Sequence, residues 1–202
     1  VTVFADDVFG ELQYEGPRPR SLLSFERSEH VLEASSLSKI LGGGLRIGWL
    51  AGPEPVLARL ADLKQSFNTN TNVVMQHIAE RMFRSGLVEE QLERTRGRHR
   101  QRLDELTEAL SEACGDDVSF DRPDGGLSLW CELRTGHSAD ELLTEAQEEG
   151  VSFIPGSALT VDGAEDARFR LAIGAVEGER MREFGRRLAA AIARLREREP
   201  RP

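Results

Sequence analysis

A long, highly charged helical pattern divides this chain of 202 residues into two unlike halves. Between Leu87 and Cys114, apolar residues recur at helical spacing among dense charge, which predicts one helix about twice the average length. A helix of that length can connect two domains. We therefore predict one domain over 1–86, an interdomain helix over 87–114 and a second domain over 115–202.

The first half alternates short apolar runs with turn residues. Three of these runs predict buried strands, which we expect to form a parallel sheet: VTVFA, HVLEASS and LRIGWLAG. Two helical patterns follow, and Asn72 and Gly86 stand where the second helix needs its N-terminal and C-terminal caps. This half is therefore interpreted as part of an α/β domain, with Trp49 in its core.

The second half predicts strand, strand, helix, strand, strand and helix, in that order. The four strand patterns are VSFDR, LSLWCEL, VSFI and RFRLAIG. This order is typical of a compact α+β unit with its helices on one face of the sheet. We expect Trp130 to lie in the core of that unit.

Composition excludes several classes of function. A net charge of -9 and a pI near 5.1 argue against a surface that binds nucleic acid or anionic membranes non-specifically, although a local phosphate pocket remains open. The two cysteines and four histidines have no metal-ligand spacing, and the thiols suggest packing roles in a reducing compartment. No apolar run approaches the about 18 residues that a membrane helix needs. The chain begins without Met on a predicted strand, so we interpret it as part of a longer polypeptide. The reducing compartment that the thiols suggest predicts a cytoplasmic location.

Lys39 is the first candidate for chemistry. Of 26 basic residues only Lys39 and Lys64 are lysines, and an amine can lose its proton and attack a carbonyl carbon whereas guanidinium stays protonated. Lys39 follows Ser36 and Ser38 and precedes a glycine-rich bend that leads to Arg46. Hydroxyls, backbone N–H groups and a guanidinium in such a bend can converge on a phosphate. A flexible turn with a solvated lysine is the alternative interpretation of the same residues.

Charged residues also mark two other predicted strands. Asp6 and Asp7 follow the first strand at its carboxyl end, where open α/β sheets place ligand groups, and a carboxylate there can pair with a protonated ring nitrogen. Arg168 and Arg170 alternate on a later strand and share one face, from which one of them could bind a carboxylate. Taken singly, the aspartates also fit an ordinary strand exit and the arginines a surface position.

Five motifs in collinear order resemble the carboxyl-terminal half of class I/II aminotransferases, which are pyridoxal 5'-phosphate (PLP) enzymes of fold type I. The motifs are DDVFGEL, SLSKILGGGLRIGWLAGP, DGGLSLW, IPGSAL and FRLAIG. The chain most resembles the subgroup shared by multi-substrate amino acid aminotransferases and the aminotransferase-like domains of GntR/MocR-type regulators. The resemblance implies a partial α/β fold of the PLP-dependent transferase type: the end of the large PLP-binding domain over 1–86, then the interdomain helix and the small α+β carboxyl-terminal domain.

The resemblance implies that the glycine-rich bend binds the cofactor. Lys39 matches the Schiff-base lysine, which holds PLP as an internal aldimine and then moves a proton between the substrate Cα and the cofactor. Ser36 and Arg46 match ligands of the PLP phosphate, and Ser38 is a weaker third ligand.

The other matched positions complete the implied site. Asp6 matches the carboxylate that pairs with the pyridinium nitrogen, and Asp7 is expected to face elsewhere. Arg170 matches the arginine that binds the substrate α-carboxylate, with Arg168 as its neighbour. Phe9 is a departure, because many relatives have a tyrosine there whose hydroxyl bonds the phenolic oxygen of PLP.

The implied activity is the transfer of an amino group between an α-amino acid and a 2-oxo acid, within amino acid metabolism. The segment Asn68–Gln76 resembles one that relatives place at a homodimer interface, although a polar run is also typical of a helix start. The alternative function is a PLP- or amino-acid-sensing domain of a GntR/MocR-type transcription regulator. A third interpretation is a truncated remnant that folds poorly and binds nothing.

Overall fold

A computed structural model describes residues 1–25, 28–164, 166–174 and 176–198. The chain divides into two compact units, Val1–Gly97 and Arg98–Pro202. The long charged pattern forms a single helix, α3 (Leu87–Cys114), as predicted, and the division between the units falls within it. The assignment of 1–86, 87–114 and 115–202 to named domains stays a prediction.

The first unit contains a three-stranded sheet in the order β1 (Val3–Asp6), β2 (Val31–Ser36) and β3 (Gly48–Ala51). The pair β1–β2 is parallel and the pair β2–β3 is antiparallel, so the prediction of a parallel sheet is wrong for β3. The physical reason lies in the connection. The segment from Ser36 to Gly48 contains only short 3₁₀ turns and no helix that could cross over the sheet, so the chain returns in the opposite direction.

Two helices follow the sheet in the first unit, α1 (Glu54–Phe67) and α2 (Val73–Arg84). The side chain of Asn72 accepts a hydrogen bond from the Met75 N–H at 3.2 Å, which confirms the predicted N-cap. Gly86 directly follows the last turn of α2 with φ of +77°, the left-handed conformation in which helices often end. Both predicted ends of this helix are therefore present.

The second unit contains a four-stranded antiparallel sheet in the order β4 (Val118–Phe120), β5 (Ser128–Leu133), β7 (Arg168–Ala172) and β6 (Ile154–Pro155). Its other helices are α4 (Ala139–Glu148) and α5 (Glu179–Arg196). Strand β6 is shorter and later than the predicted strand over 151–154. The described ranges also contain short 3₁₀ turns: Leu22–Ser24, Ser28–His30, Leu37–Lys39, Gly43–Leu45, Gly115–Asp117 and Gly156–Ala158.

Alternation along the strands decides which side chains of the second unit are buried. On β5, Leu129 and Cys131 are 0% and 2% exposed, whereas Trp130 between them is 48% exposed. The prediction that Trp130 lies in the core is therefore wrong. The same prediction is wrong for Trp49, which is 45% exposed on β3, a strand with no fully buried residue at the edge of its sheet.

Candidate functional site

The turn after β2 is held by a compact set of hydrogen bonds. Ser36 Oγ accepts a hydrogen bond from the Ser38 N–H at 3.0 Å, lies 2.9 Å from Ser38 Oγ and donates to the Ile47 carbonyl at 3.0 Å. Leu37 and Ile40, on either side of this turn, are buried. The turn that presents the two serines therefore has a fixed local conformation rather than that of a loose connection.

Lys39 is exposed between these two buried residues. Its Nζ lies 5.4 Å from the centre of the Phe9 ring, within the range of a cation–π contact. Phe9 follows the first strand and Lys39 the second, and parallel pairing of β1 and β2 brings the two strand ends to the same edge of the sheet. The structure thus brings together two predicted site residues that are far apart in sequence.

Asp6 lies on the same face of the sheet as Ser36. Asp6 pairs with Ala34 in the β1–β2 register, and residues two apart on a strand share a face. The Asp6 side chain is exposed, and its Oδ1 accepts a hydrogen bond from the Val8 N–H at 3.4 Å. Among the residues that the structure describes, no cation pairs with this carboxylate.

Asp7 has a different environment from Asp6. Its carboxylate accepts a hydrogen bond from Arg18 Nη2 at 2.6 Å, and Arg18 Nε lies 3.1 Å from Glu11. Gly10 makes room for this arrangement, because a Cβ at that position would lie 2.1 Å from an Asp7 carboxylate oxygen. The Asp7 charge is thus compensated by Arg18, and of the two carboxylates only that of Asp6 remains available to pair with a cation. Sequence reasoning missed Arg18, because no local pattern links it to Asp7.

Arg46 has an unusual backbone conformation. Its φ of +53° makes it the one non-glycine residue with positive φ in the described ranges. Its guanidinium approaches the Gly43 carbonyl of the same bend at 3.5 Å. Backbone conformations that are costly for a side chain cluster at functional sites, which makes Arg46 a candidate ligand-binding residue.

The two arginines of β7, in the second unit, differ in their partners. Arg168 Nε donates to Asp166 Oδ2 at 2.7 Å, and this guanidinium lowers the pKa of the Asp166 carboxyl below its ordinary value. Arg170 is partly buried, and its guanidinium has no hydrogen bond or ion pair with any residue that the structure describes, although its backbone is part of the sheet. Arg170 is therefore the member of this pair that is free to bind an external carboxylate.

The described ranges contain neither a metal-binding cluster nor a membrane-spanning helix. No three histidine, cysteine, aspartate or glutamate side chains lie close enough together there to hold a metal ion. In the same ranges, no helix combines the length and apolar character needed to cross a membrane.

Comparison with known proteins identifies relatives of two kinds. The family model for aminotransferase class I and II matches residues 1–188. Aromatic-amino-acid aminotransferase 1 of Thermococcus litoralis is 30% identical over 94% of this chain and 46% of its own length. The HTH-type transcriptional regulator YdfD of Bacillus subtilis is 30% identical over 87% of this chain and 36% of its own length. The chain thus spans at most about half the length of these curated relatives.

A solved structure supports the same assignment. α-Aminoadipate aminotransferase LysN of Thermus thermophilus, in complex with N-(5'-phosphopyridoxyl)-L-leucine, is 31% identical with a TM-score of 0.88. The match covers 96% of this chain and 51% of that one. The predicted α/β architecture of PLP fold type I is confirmed, and this chain belongs to the class I and II aminotransferase family.

Proposed function

We propose that the protein containing this chain is a PLP-dependent aminotransferase that moves an amino group between an α-amino acid and a 2-oxo acid. The observation that supports this most directly is the edge of the first sheet. That edge carries the exposed amine of Lys39, the uncompensated carboxylate of Asp6 and the turn with the hydroxyls of Ser36 and Ser38. The chain that carries them belongs to the aminotransferase family.

The residues present fit a phosphorylated, cationic aromatic cofactor. Ser36, Ser38 and Arg46 supply hydroxyls and a guanidinium to bind the phosphate, and the strained backbone of Arg46 is consistent with a ligand-binding role. Asp6 supplies a carboxylate to hold a protonated pyridine nitrogen by a charge-assisted hydrogen bond. PLP, when bound, supplies an electron sink that acidifies the Cα–H bond of an attached amino acid.

Lys39 carries the proton in this proposal. Its neutral amine would accept the proton from the substrate Cα and would donate it to the cofactor carbon that keeps the amino group. The Phe9 ring is close to that amine and has no hydroxyl, so it positions the amine through van der Waals and cation–π contact and donates no hydrogen bond. Arg170 binds the substrate α-carboxylate through its fork of N–H donors.

The proposal also includes the oligomeric state and the cellular location of the protein. We expect a homodimer, with the segment Asn68–Gln76 at the interface between copies, and a cytoplasmic protein that acts on small amino acids and 2-oxo acids. The structure places this segment at the junction of α1 and α2, where Asn72 is also a helix cap. Sedimentation equilibrium of the protein with and without substitutions in this segment would test the dimer.

Locating the cofactor is the first test of the proposed function. The protein that contains this chain is incubated with PLP and reduced with borohydride, and peptide mass spectrometry then locates the pyridoxyl label. We expect the label on Lys39 and not on Lys64, because Lys64 lies in α1 and serves as an internal control lysine. Label that is absent from Lys39, or equal on the two lysines, would overturn the cofactor assignment.

The regulator relatives keep a second function open, a PLP- or amino-acid-sensing domain of a transcription regulator. Turnover separates the two functions, because a sensor binds an amino acid without transferring its amino group to an added 2-oxo acid. Appearance of the new amino acid in proportion to time supports the enzyme. Label on Lys39 without such turnover, over a panel of donors, supports the sensor.

A further inference from the structure

The exposed face of the second sheet carries three arginines, and two of them are neutralised locally. Arg134, directly after β5, lies 3.0 Å from Glu132 and donates to Ser119 Oγ at 2.9 Å. Arg168 pairs with Asp166. Arg170 alone among these three has no partner in the part of the chain that the structure describes.

The neighbours of Arg170 on this face are apolar. In the antiparallel register, Arg170 lies opposite Trp130 on β5 and opposite Ile154 on β6, so the three side chains stand side by side on one face. Trp130 is 48% exposed and Ile154 is 37% exposed. A free guanidinium therefore lies between an aromatic and an aliphatic surface.

This arrangement has a definite chemical complement. A carboxylate satisfies the guanidinium in bidentate fashion, and an apolar group attached to that carboxylate removes the exposed surface of Trp130 or Ile154 from water. A second carboxylate, as in an acidic amino acid, would find no unpaired cation among the neighbouring side chains, because Arg134 and Arg168 already have their partners.

We propose that Trp130 and Ile154 bind the side chain of the amino acid whose α-carboxylate Arg170 holds, so that the substrates are amino acids with aromatic or aliphatic side chains. This inference rests on the proposed function, because it takes Arg170 as the carboxylate-binding residue. It adds a substrate class and two specificity-determining residues to that function.

Binding of two unreactive acids tests the inference without turnover. Hydrocinnamate and propanoate have the same carboxylate, and only hydrocinnamate has an aromatic ring. In the PLP-loaded protein labelled with fluorotryptophan, the Trp130 signal is assigned by its loss in Trp130→Phe, and each acid is titrated by fluorine NMR. We expect the Trp130 signal to shift with hydrocinnamate and the preference for hydrocinnamate over propanoate to be about tenfold.

Three variants separate the contributions. Trp130→Ala should reduce that preference by about three- to tenfold and leave the propanoate affinity within about twofold, because only the ring contact is lost. Trp130→Phe should keep most of the preference. Arg170→Lys should weaken both acids together, since it replaces the planar fork of donors. Trp49→Phe is the matched control, because Trp49 is similarly exposed but lies in the first sheet.

The opposite result is equally clear. If Trp130→Ala leaves the preference unchanged, or weakens both acids equally, Trp130 does not contact the ligand and another part of the protein covers this face. Failure here is distinct from failure of the proposed function. Label on Lys39 with no change of preference overturns only the substrate class, whereas a Trp130-dependent preference without label on Lys39 overturns only the PLP assignment.

Discussion

The two units differ most in how much of their apolar surface they bury. Of the large hydrophobic side chains that are exposed in the described ranges, 16 lie in the first unit and four in the second. Helix α1 has no buried residue, whereas α5 buries six: Met181, Gly185, Leu188, Ala191, Ile192 and Leu195. The second unit therefore has a complete core of its own, and the first unit has sheet and helix faces that remain uncovered.

This difference bears on how far the proposed site depends on long-range packing. In the first unit, the turn that carries Lys39 is held by local means, namely the buried Leu37 and the hydrogen bonds of Ser36. Its conformation therefore requires few contacts from the exposed helices. In the second unit, Arg170 lies on a strand that is paired on both sides and backed by a buried core.

The two units should differ most when each is folded in isolation. The segment 87–198, which contains all of α3 and the second core, should fold cooperatively alone, because the apolar side chains of its strands and helices cover one another. The segment 1–86 should not, because α1 and α2 together bury only Ala79. Circular dichroism during urea unfolding of each segment would check this.

The control for that experiment is the chain of 202 residues, which should show the transition of the isolated second segment at a similar urea concentration. A cooperative transition in segment 1–86 would contradict the expectation that this segment cannot fold alone. It would mean that a three-stranded sheet with exposed helices is sufficient for folding.

Sequence patterns predicted the elements of both units but not how the elements meet. Periodicity located α2 and α3 together with their ends, because caps and helical spacing are local properties. Recognition of the family motifs placed Lys39 and Phe9 in one site. The contact of Arg18 with Asp7 could not be predicted, because it joins residues eleven positions apart through a loop with no repeating pattern.

The orientation of Trp130 shows a second limit of sequence reasoning. A tryptophan in an apolar strand suggests the core, and alternation alone leaves open which of the two faces is buried. The neighbours Leu129 and Cys131 decide this in the structure. The antiparallel pairing of β3 was missed for a similar reason, because the apolar pattern of a strand does not specify its direction.

Truncating one buried phenylalanine should have the next largest effect on stability, and truncating an exposed one serves as the comparison. Phe169 is fully buried on β7 with its ring centre 4.7 Å from that of Phe153, so Phe169→Ala should lower the free energy of unfolding by about 3–5 kcal/mol. Phe67, at the end of α1, is 87% exposed, and Phe67→Ala should change it by about 0.5 kcal/mol or less. Urea unfolding of the complete protein measures both. Similar losses for the two variants would show that Phe67 is covered in solution.

High pH should weaken the second unit selectively. Burial raises the pKa of the Cys114 thiol to about 11 and, with a smaller effect of Cys114, that of Cys131 to about 12, from an ordinary 9.0. The unfolded chain therefore releases thiol protons above pH 9.0 that the folded unit retains, and the free energy of unfolding falls as pH rises. We expect a loss of about 1–3 kcal/mol between about pH 8 and pH 10, measured by urea unfolding.

The double variant Cys114→Ala/Cys131→Ala is the control for that pH dependence. It should remove most of the loss, because the first unit contains no cysteine and other groups contribute equally to both proteins. An unchanged slope in the double variant would assign the pH dependence to other groups.

Substitution of Arg46 should change stability least of all. It should also separate cofactor binding from folding in the first unit, because the two properties should respond differently. Glycine adopts the φ of +53° without strain, so Arg46→Gly should leave the free energy of unfolding unchanged or raise it by up to about 1 kcal/mol. PLP affinity should nevertheless fall by about tenfold to a hundredfold, because a charge-assisted contact to the phosphate is lost.

Arg46→Ala should lose the same affinity but keep the backbone strain, so the two variants should differ in stability and not in PLP binding. Equal PLP affinity in the original protein and in both variants, measured by equilibrium dialysis, would exclude Arg46 from the phosphate site and leave its backbone strain without a functional reason.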